Sequence, residues 1–121
     1  MRTAVMAALV FAIGLVLARS LWADAPLPSP ELLDAGRKAY AQACAPCHGV
    51  NGDGNGPVAF AVNPKPRNFR KDKFKAGDTV DQIFATITNG LPDTKMVGYP
   101  QISERDRWGM AYIVLAFRPT K

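Results

Sequence analysis

The residues from Gly49 to Pro66 limit the folds available to this chain more than any other segment does. Glycine and proline recur throughout this stretch, and their density interrupts helices and strands alike. We therefore expect a long loop here. A chain of 121 residues has room for one domain with a modest core, which does not offset the entropy of ordering long loops. Something other than protein side chains must help to fill the centre of the domain.

Three helices are predicted around this loop from capping residues and apolar periodicity. They begin after Ser29, Thr79 and Ser103, because each of these side chains can cap the first turn of a helix. Asn89-Gly90 provides the left-handed end of the second helix. The segment Thr86-Ile87-Thr88 alone would also suit a strand.

The segment Cys44-Ala45-Pro46-Cys47-His48 has the spacing of c-type haem attachment. In that arrangement two thiols add to the vinyl groups of the haem, and the adjacent histidine reaches the iron. His48 is also the only histidine of the chain. We expect one covalently attached haem c, held by Cys44 and Cys47 with His48 as an iron ligand, and this haem would supply the missing apolar core.

Three other interpretations of the two cysteines remain open. A disulfide between Cys44 and Cys47 would close a very small loop and stabilise the fold little. A thioredoxin-like redox pair is chemically reasonable, but that fold needs a strand before the motif and a continuing helix after it. A zinc site lacks a fourth ligand. Covalent haem attachment is the interpretation that the neighbouring helix and loop favour.

The amino terminus differs in character from the rest of the chain. Arg2 precedes an uncharged apolar run from Ala4 to Ala18, which is typical of an export signal. This run is shorter than the roughly 20 residues of a membrane-spanning helix, although Leu21 and Trp22 could extend it. We expect residues 1–25 to be a cleaved export signal or a retained N-terminal membrane anchor. The domain of residues 26–121 would then lie in the periplasm or on the outer face of the cytoplasmic membrane.

The chain is basic, with a formal net charge of +5. Charge of this kind favours association with acidic protein surfaces or anionic lipid and does not by itself indicate nucleic acid. Many of the basic residues fall between positions 65 and 75, in either a solvated loop or a surface that docks a partner. They are Lys65, Arg67, Arg70, Lys71, Lys73 and Lys75.

From Ser29 to Phe117 the chain resembles the class I c-type cytochromes, in particular bacterial monohaem cytochromes c. The resemblance rests on Cys47-His48-Gly49, on the glycines and Gly56-Pro57 of the following loop, and on Gly36 and Tyr40 before the motif. It implies an all-α protein with the small cytochrome c fold, in which three or more short helices and long loops wrap around one covalently bound haem.

The same resemblance implies a helix crossing and two supporting interactions. Gly36 and Tyr40 would lie where the first helix crosses the last, with Trp108 and Tyr112 as their partners. The carbonyl of Pro57 would accept a hydrogen bond from the iron-binding histidine and so fix its orientation. The hydroxyl of Thr94 is a candidate for bonding a haem propionate, as are Arg67 and Asn68.

In that family a methionine on the loop between the last two helices binds the iron opposite the histidine. Thr94-Lys95-Met96 matches the family's Thr-x-Met arrangement, so Met96 is the expected second iron ligand. Met110, in the last predicted helix, is more simply interpreted as part of the core. Relatives commonly have glycine before the threonine and proline after the methionine, where this chain has Asp93 and Val97.

These features predict one-electron transfer by a periplasmic or membrane-tethered monohaem cytochrome c with His/Met-ligated iron. Protein ligands in both axial positions leave no site for oxygen or peroxide, so we expect an electron carrier that shuttles between redox proteins with acidic docking surfaces, and not an enzyme. One alternative is a dedicated haem c subunit of a larger oxidoreductase complex. The other is a haem enzyme or gas sensor that releases Met96.

Overall fold

The computed structural model describes residues 24–120 and is helical throughout its regular part. A 3-10 turn lies in the loop after the second helix, and within the described residues the only β pairing is an isolated bridge between Gly90 and Val97. The prediction of an all-α fold is confirmed. The helices are α1 (Pro30–Ala43), α2 (Ala45–His48), α3 (Val80–Asn89) and α4 (Glu104–Ala116), and the 3-10 turn is Ala59–Ala61.

The predicted N-terminal signal or anchor lies outside the described residues, apart from its last two positions. None of the helices in residues 24–120 is both long enough and apolar enough to span a membrane.

All three predicted helix starts are confirmed at the level of individual hydrogen bonds. Ser29 and Ser103 each accept a bond from the backbone amide three residues ahead, at 3.1 Å. Thr79 and Gln82 exchange side-chain-to-backbone bonds of 3.2 Å in both directions, which is a complete capping box. These caps satisfy amides that would otherwise have no partner at the helix ends. The local sequence is therefore sufficient to place the starts of α1, α3 and α4.

The first and last helices cross through direct backbone contact. Gly36 of α1 lies against Gly109 of α4, and a methyl group at Gly36 would overlap the Gly109 carbonyl. A methyl group at Gly109 would in turn meet the carbonyl of Leu32. The crossing of these two helices is as predicted, and it depends on the absence of a side chain from both.

The closest contacts at this crossing are not with the predicted partners, Trp108 and Tyr112. Trp108 stacks on Phe84 of α3 at a centroid distance of 3.8 Å, and the Tyr112 hydroxyl donates to the Pro26 carbonyl at 2.7 Å. The ring of Tyr40 packs instead on Phe117, 5.3 Å away. Gly109 is the residue of α4 in closest contact with α1, and Tyr112, almost one turn later, reaches the chain just before α1.

Helix α3 packs on α4 to complete the core. Met110 is fully buried, with 0% of its surface exposed, which confirms its interpretation as a core residue. Other buried side chains from these two helices surround it: Ile83, Ile87, Ala111 and Val114.

Candidate haem-binding site

A cavity of ≈ 280 Å³ opens between the helices and the two long loops. This volume is close to the lower end of the range for small-molecule sites, about 300 Å³. Cys44, Cys47 and His48 line the cavity, and so do Thr94 and Met96 from the loop between α3 and α4. The structure therefore brings five of the six predicted site residues to one cavity. Much of its remaining wall is apolar or aromatic, with Phe69, Phe74, Ile83, Ile87, Leu91, Tyr99 and Val114.

The two cysteines and the histidine are held on consecutive turns where α1 passes into α2. The Cys44 amide donates to the Tyr40 carbonyl at 2.9 Å, and the His48 amide donates to the Cys44 carbonyl at 2.8 Å. No disulfide joins the two cysteines, and one is buried and the other half-buried. Burial raises the pKa of the Cys44 thiol to about 12, with a smaller contribution from Cys47. A redox-active pair needs a lowered thiol pKa, so this environment argues against a thioredoxin-like function.

The hydrogen bonding of His48 leaves its Nε2 atom available to bind a metal. Its Nδ1 lies 2.9 Å from the backbone carbonyl of Arg67, and because a carbonyl only accepts, Nδ1 carries the hydrogen. Burial lowers the pKa of His48, and the Arg67 carbonyl partly opposes this effect. Burial thus favours the neutral ring, and with the hydrogen on Nδ1 the other nitrogen, Nε2, is the one available to coordinate iron. The Phe69 ring stacks on it with centroids 4.3 Å apart.

The predicted hydrogen bond from His48 to the Pro57 carbonyl is wrong. Pro57 is exposed and does not line the cavity, and the histidine bonds to Arg67 instead. The physical reason is the path of the loop, which folds back so that the Phe69 amide donates to the Gly52 carbonyl at 2.7 Å. This places the Arg67 carbonyl beside the imidazole. Since every residue carries a carbonyl, no side chain in the sequence signals this partner.

The loop that carries Met96 is organised by the hydroxyl of Thr94. This hydroxyl donates to the Leu91 carbonyl at 2.9 Å and accepts from the Met96 amide at 3.0 Å. The Leu91 amide donates to the Met96 carbonyl at 2.9 Å. Thr94 therefore shapes the turn before Met96, a role that sequence reasoning missed, and its contact with a haem propionate stays a prediction.

Tyr99 is a second residue that sequence reasoning missed. Its ring lines the cavity, its hydroxyl donates to the Ala43 carbonyl at 3.2 Å, and its amide donates to the Ile87 carbonyl at 2.8 Å. It thus ties the loop of Met96 to α3 and to the end of α1 just before Cys44. An aromatic residue three positions after the candidate ligand is the signal that could have revealed it.

The charged side chains at the cavity are all cationic. Lys65, Arg67, Lys75 and Lys95 line it, and no carboxylate of residues 24–120 does so. Asn68, considered for the same anionic groups, uses its side-chain oxygen to accept from the Arg70 amide at 3.0 Å. The cavity therefore suits an apolar group that carries negative charges.

No cluster of three or more histidine, cysteine or acidic side chains suitable for a metal ion occurs in the described part of the chain. The donor set at the cavity is instead two thiols, one neutral imidazole and one thioether. Such a set fits a haem, in which the macrocycle supplies the remaining iron ligands.

Comparison with known protein families and with solved structures gives matches in both. The family model described as "Cytochrome C oxidase, cbb3-type, subunit III" matches residues 31–113, which include every residue at the cavity except Val114. A chain of the reducing HAO-like protein complex of Kuenenia stuttgartiensis is 29% identical, with a TM-score of 0.70 over 79% of this chain and 46% of that one. The chain therefore spans less than half the length of that relative. No curated protein matches it.

Proposed function

The chain belongs to the family of cbb3-type cytochrome c oxidase subunit III and is a class I c-type cytochrome that binds haem c covalently, and we propose that it is an exported one-electron carrier. Cys44 and Cys47 would form the thioether links, and His48 and Met96 would bind the iron. When bound, the haem supplies a reversible one-electron couple. A thioether ligand favours ferrous iron and raises the reduction potential relative to two nitrogen ligands.

The observation that carries this proposal is the shared cavity. The Cys44–His48 segment and Met96 come from distant parts of the chain and line the same space. The other methionine of the described residues, Met110, is fully buried in α4 and does not line that space. If His48 and Met96 both bind the iron, no coordination site is left open for an external ligand, which suits the group to electron exchange.

The ligand assignment is tested by replacing each methionine in the holoprotein. We expect Met96→Ala to abolish the sulfur-to-iron charge-transfer band of the ferric protein and to lower the reduction potential. Met110→Leu conserves core volume and should retain both properties. Retention of the band in Met96→Ala would show that another group binds the iron.

We further propose that partners dock beside the cavity on an apolar surface surrounded by positive charge. Phe60, on the 3-10 turn, is 92% exposed, and it shares a shallow groove with Val62 and Lys65, which also line the cavity. Val58, two residues earlier, is also exposed, at 43%, and a patch of exposed apolar residues beside a functional site is typical of a contact surface. The fitting partner is a redox protein with an apolar patch bordered by carboxylates.

Electron transfer to an acidic blue-copper protein provides a test of this surface. We expect the second-order rate constant to fall as salt screens the charges and to fall further in Phe60→Ser. The matched control is Val50→Ser, which also alters an apolar residue of the same loop. Val50 is 76% exposed and lines neither the cavity nor the groove. Equal rates for the two variants, or rates indifferent to salt, would remove this surface from the proposal.

A second candidate function is that of a haem c subunit within a larger oxidoreductase complex. It is favoured by the similar chain of the Kuenenia stuttgartiensis complex, of which this chain covers 46%. Purification of the native holoprotein separates the two functions. A monomer supports the carrier, and a stoichiometric partner that survives high salt supports the subunit.

The intact mass of the native protein tests attachment and export together. One covalent haem adds a fixed mass to the chain, and removal of a signal near residue 25 subtracts the mass of the leading segment. A full-length chain in the membrane fraction would instead support the retained anchor.

A further inference from the structure

The side chain of Arg107 contacts residues at both ends of the loop that carries Met96. We call residues 90–103, between α3 and α4, the Met96 loop. Arg107 lies in the first turn of α4, and its Nε donates to the carbonyl of Ile102 at 3.0 Å. A terminal nitrogen of the same guanidinium donates to the hydroxyl of Thr88. Thr88 precedes the loop and Ile102 is near its end, so Arg107 joins the two ends.

The guanidinium is itself held in place from several directions. The Thr88 hydroxyl that accepts from it donates onward to the Phe84 carbonyl at 2.9 Å. The guanidinium carbon lies 5.1 Å from the centroid of the Phe84 ring, which in turn stacks on Trp108. A planar cation that combines directed hydrogen bonds with an aromatic face has little freedom to move.

This arrangement is not an ion pair. Within residues 24–120 no carboxylate forms a salt bridge with Arg107, so the described contacts of its charge are a carbonyl, a hydroxyl and an aromatic ring. Hydrogen bonds to charged groups are stronger than neutral ones. The side chain therefore links two pieces of backbone, and its effect should depend little on salt.

Other contacts of the Met96 loop lie closer to Met96 itself. The Gly90 and Val97 backbones form an isolated bridge, and the Tyr99 amide bonds to the Ile87 carbonyl. These contacts shape the part of the loop next to Met96. Arg107 holds the end of the loop that leads into α4. If that end opened, the residues that follow Met96 could move away from α3.

We propose that Arg107 is a positioning residue that keeps Met96 at the cavity. In this way it would protect the bond between the iron and the Met96 sulfur from exchange with an external ligand. This inference rests on the proposed ligation by Met96. Without Arg107 the two ends of the loop separate more often, the sulfur leaves the iron for a larger fraction of the time, and an external ligand binds in its place.

The experiment measures imidazole binding to the ferric holoprotein, because imidazole must displace the methionine. We expect Arg107→Gln to bind imidazole about tenfold more tightly than the unchanged protein, which corresponds to the loss of roughly one charged hydrogen bond. Its reduction potential should also fall. Arg107→Lys keeps a cation that can make one of the two bonds, and it should show an intermediate affinity.

Two controls separate positioning from general destabilisation. Arg105→Gln removes an arginine of the same helical turn. The bond that Arg105 donates to the Glu31 carbonyl is exposed. Ser29→Ala removes the cap of α1 and lowers global stability without touching the Met96 loop. Both should bind imidazole within about twofold of the unchanged protein, since neither alters the population of the opened loop.

If Arg107→Gln does not load haem, Thr88→Val provides a second variant of similar shape that removes the accepting hydroxyl. It should tighten imidazole binding in the same direction. If the charge-transfer band persists in Met96→Ala, the ligation is wrong and the inference falls with it. If the band depends on Met96 but the Arg107 and Thr88 variants bind imidazole like Arg105→Gln, the ligation stands and the positioning role is overturned.

Discussion

Asp93 has a φ of 58°, in the left-handed region of backbone conformation, three residues before Met96. Side chains with a Cβ atom pay about 1–2 kcal/mol in this region, and aspartate somewhat less. This is the position at which related cytochromes commonly have glycine. The chain therefore retains local strain in the turn that leads to its proposed iron ligand.

Replacing Asp93 by glycine should stabilise the holoprotein. We expect the free energy of unfolding in denaturant to rise by up to about 1 kcal/mol, because glycine enters the left-handed region without a steric penalty. The control is Asp81→Gly in the first turn of α3, where glycine should cost up to about 1 kcal/mol. An equal loss of stability in both variants would contradict the interpretation of Asp93 as strained.

The hydroxyl of Tyr99 should support the Met96 ligand through its bond to Ala43. In an alkaline titration, we expect the sulfur-to-iron band of Tyr99→Phe to be lost at a lower pH than that of the unchanged protein. Tyr112→Phe removes the same atom from a hydroxyl that bonds to Pro26, away from the cavity, and should leave the titration unchanged. Coincident titrations of the two variants would rule out a specific contribution from Tyr99.

At the residue scale the sequence predicted side chains far better than backbone partners. Cys44, Cys47 and His48 could be found because their chemistry requires particular residue types at a fixed spacing. Met96 could be ranked above Met110 by resemblance, and the two prove to lie at the cavity and in the core respectively. The carbonyl that orients His48 could not be found, because it depends on how the loop returns.

The helices show the same division between local and distant information. The starts of α1, α3 and α4 follow from hydrogen bonds within three residues, so capping residues predict them. The crossing of α1 with α4 at Gly36 was also expected, but Gly109 as its contact was not. Which side of α4 meets α1 is decided by where two glycines allow the closest approach, and Trp108 is instead used against α3.

Gly36→Ala tests this crossing at the level of the helices. The added methyl group overlaps the Gly109 backbone and forces α1 and α4 apart, so we expect a loss of roughly 1–3 kcal/mol in unfolding free energy. Thermal or denaturant unfolding of the holoprotein would measure it. The control is Ala41→Ser, on the exposed side of α1, which should have a much smaller effect.

At the scale of the whole molecule, the cavity stands where a small domain would otherwise have its central side chains. Ile83, Ile87 and Val114 belong to the core and also line the cavity. The sequence anticipated this arrangement, since its long loops required a further apolar component. The dimensions of the cavity depend on the packing of all four helices and could not be read from any single motif.

The protein without haem should consequently lose much of its order. We expect the double variant Cys44→Ser with Cys47→Ser to prevent covalent attachment and to reduce the helical circular dichroism signal, because buried apolar walls would face water. The single variant Cys47→Ser retains one thioether link and should remain largely folded. Full helicity in the double variant purified without haem would show that the side chains alone form a sufficient core.

The bond from Tyr112 to the Pro26 carbonyl also fixes where residue 26 lies relative to the cavity. Tyr112 and Val114 are two residues apart on α4, which separates them by about 200° around the helix, and Val114 is the one that lines the cavity. Residue 26 is therefore fastened to the back of α4. If the segment before residue 24 serves as a membrane tether, its attachment on this side of α4 would leave the cavity side of the domain free to meet partners.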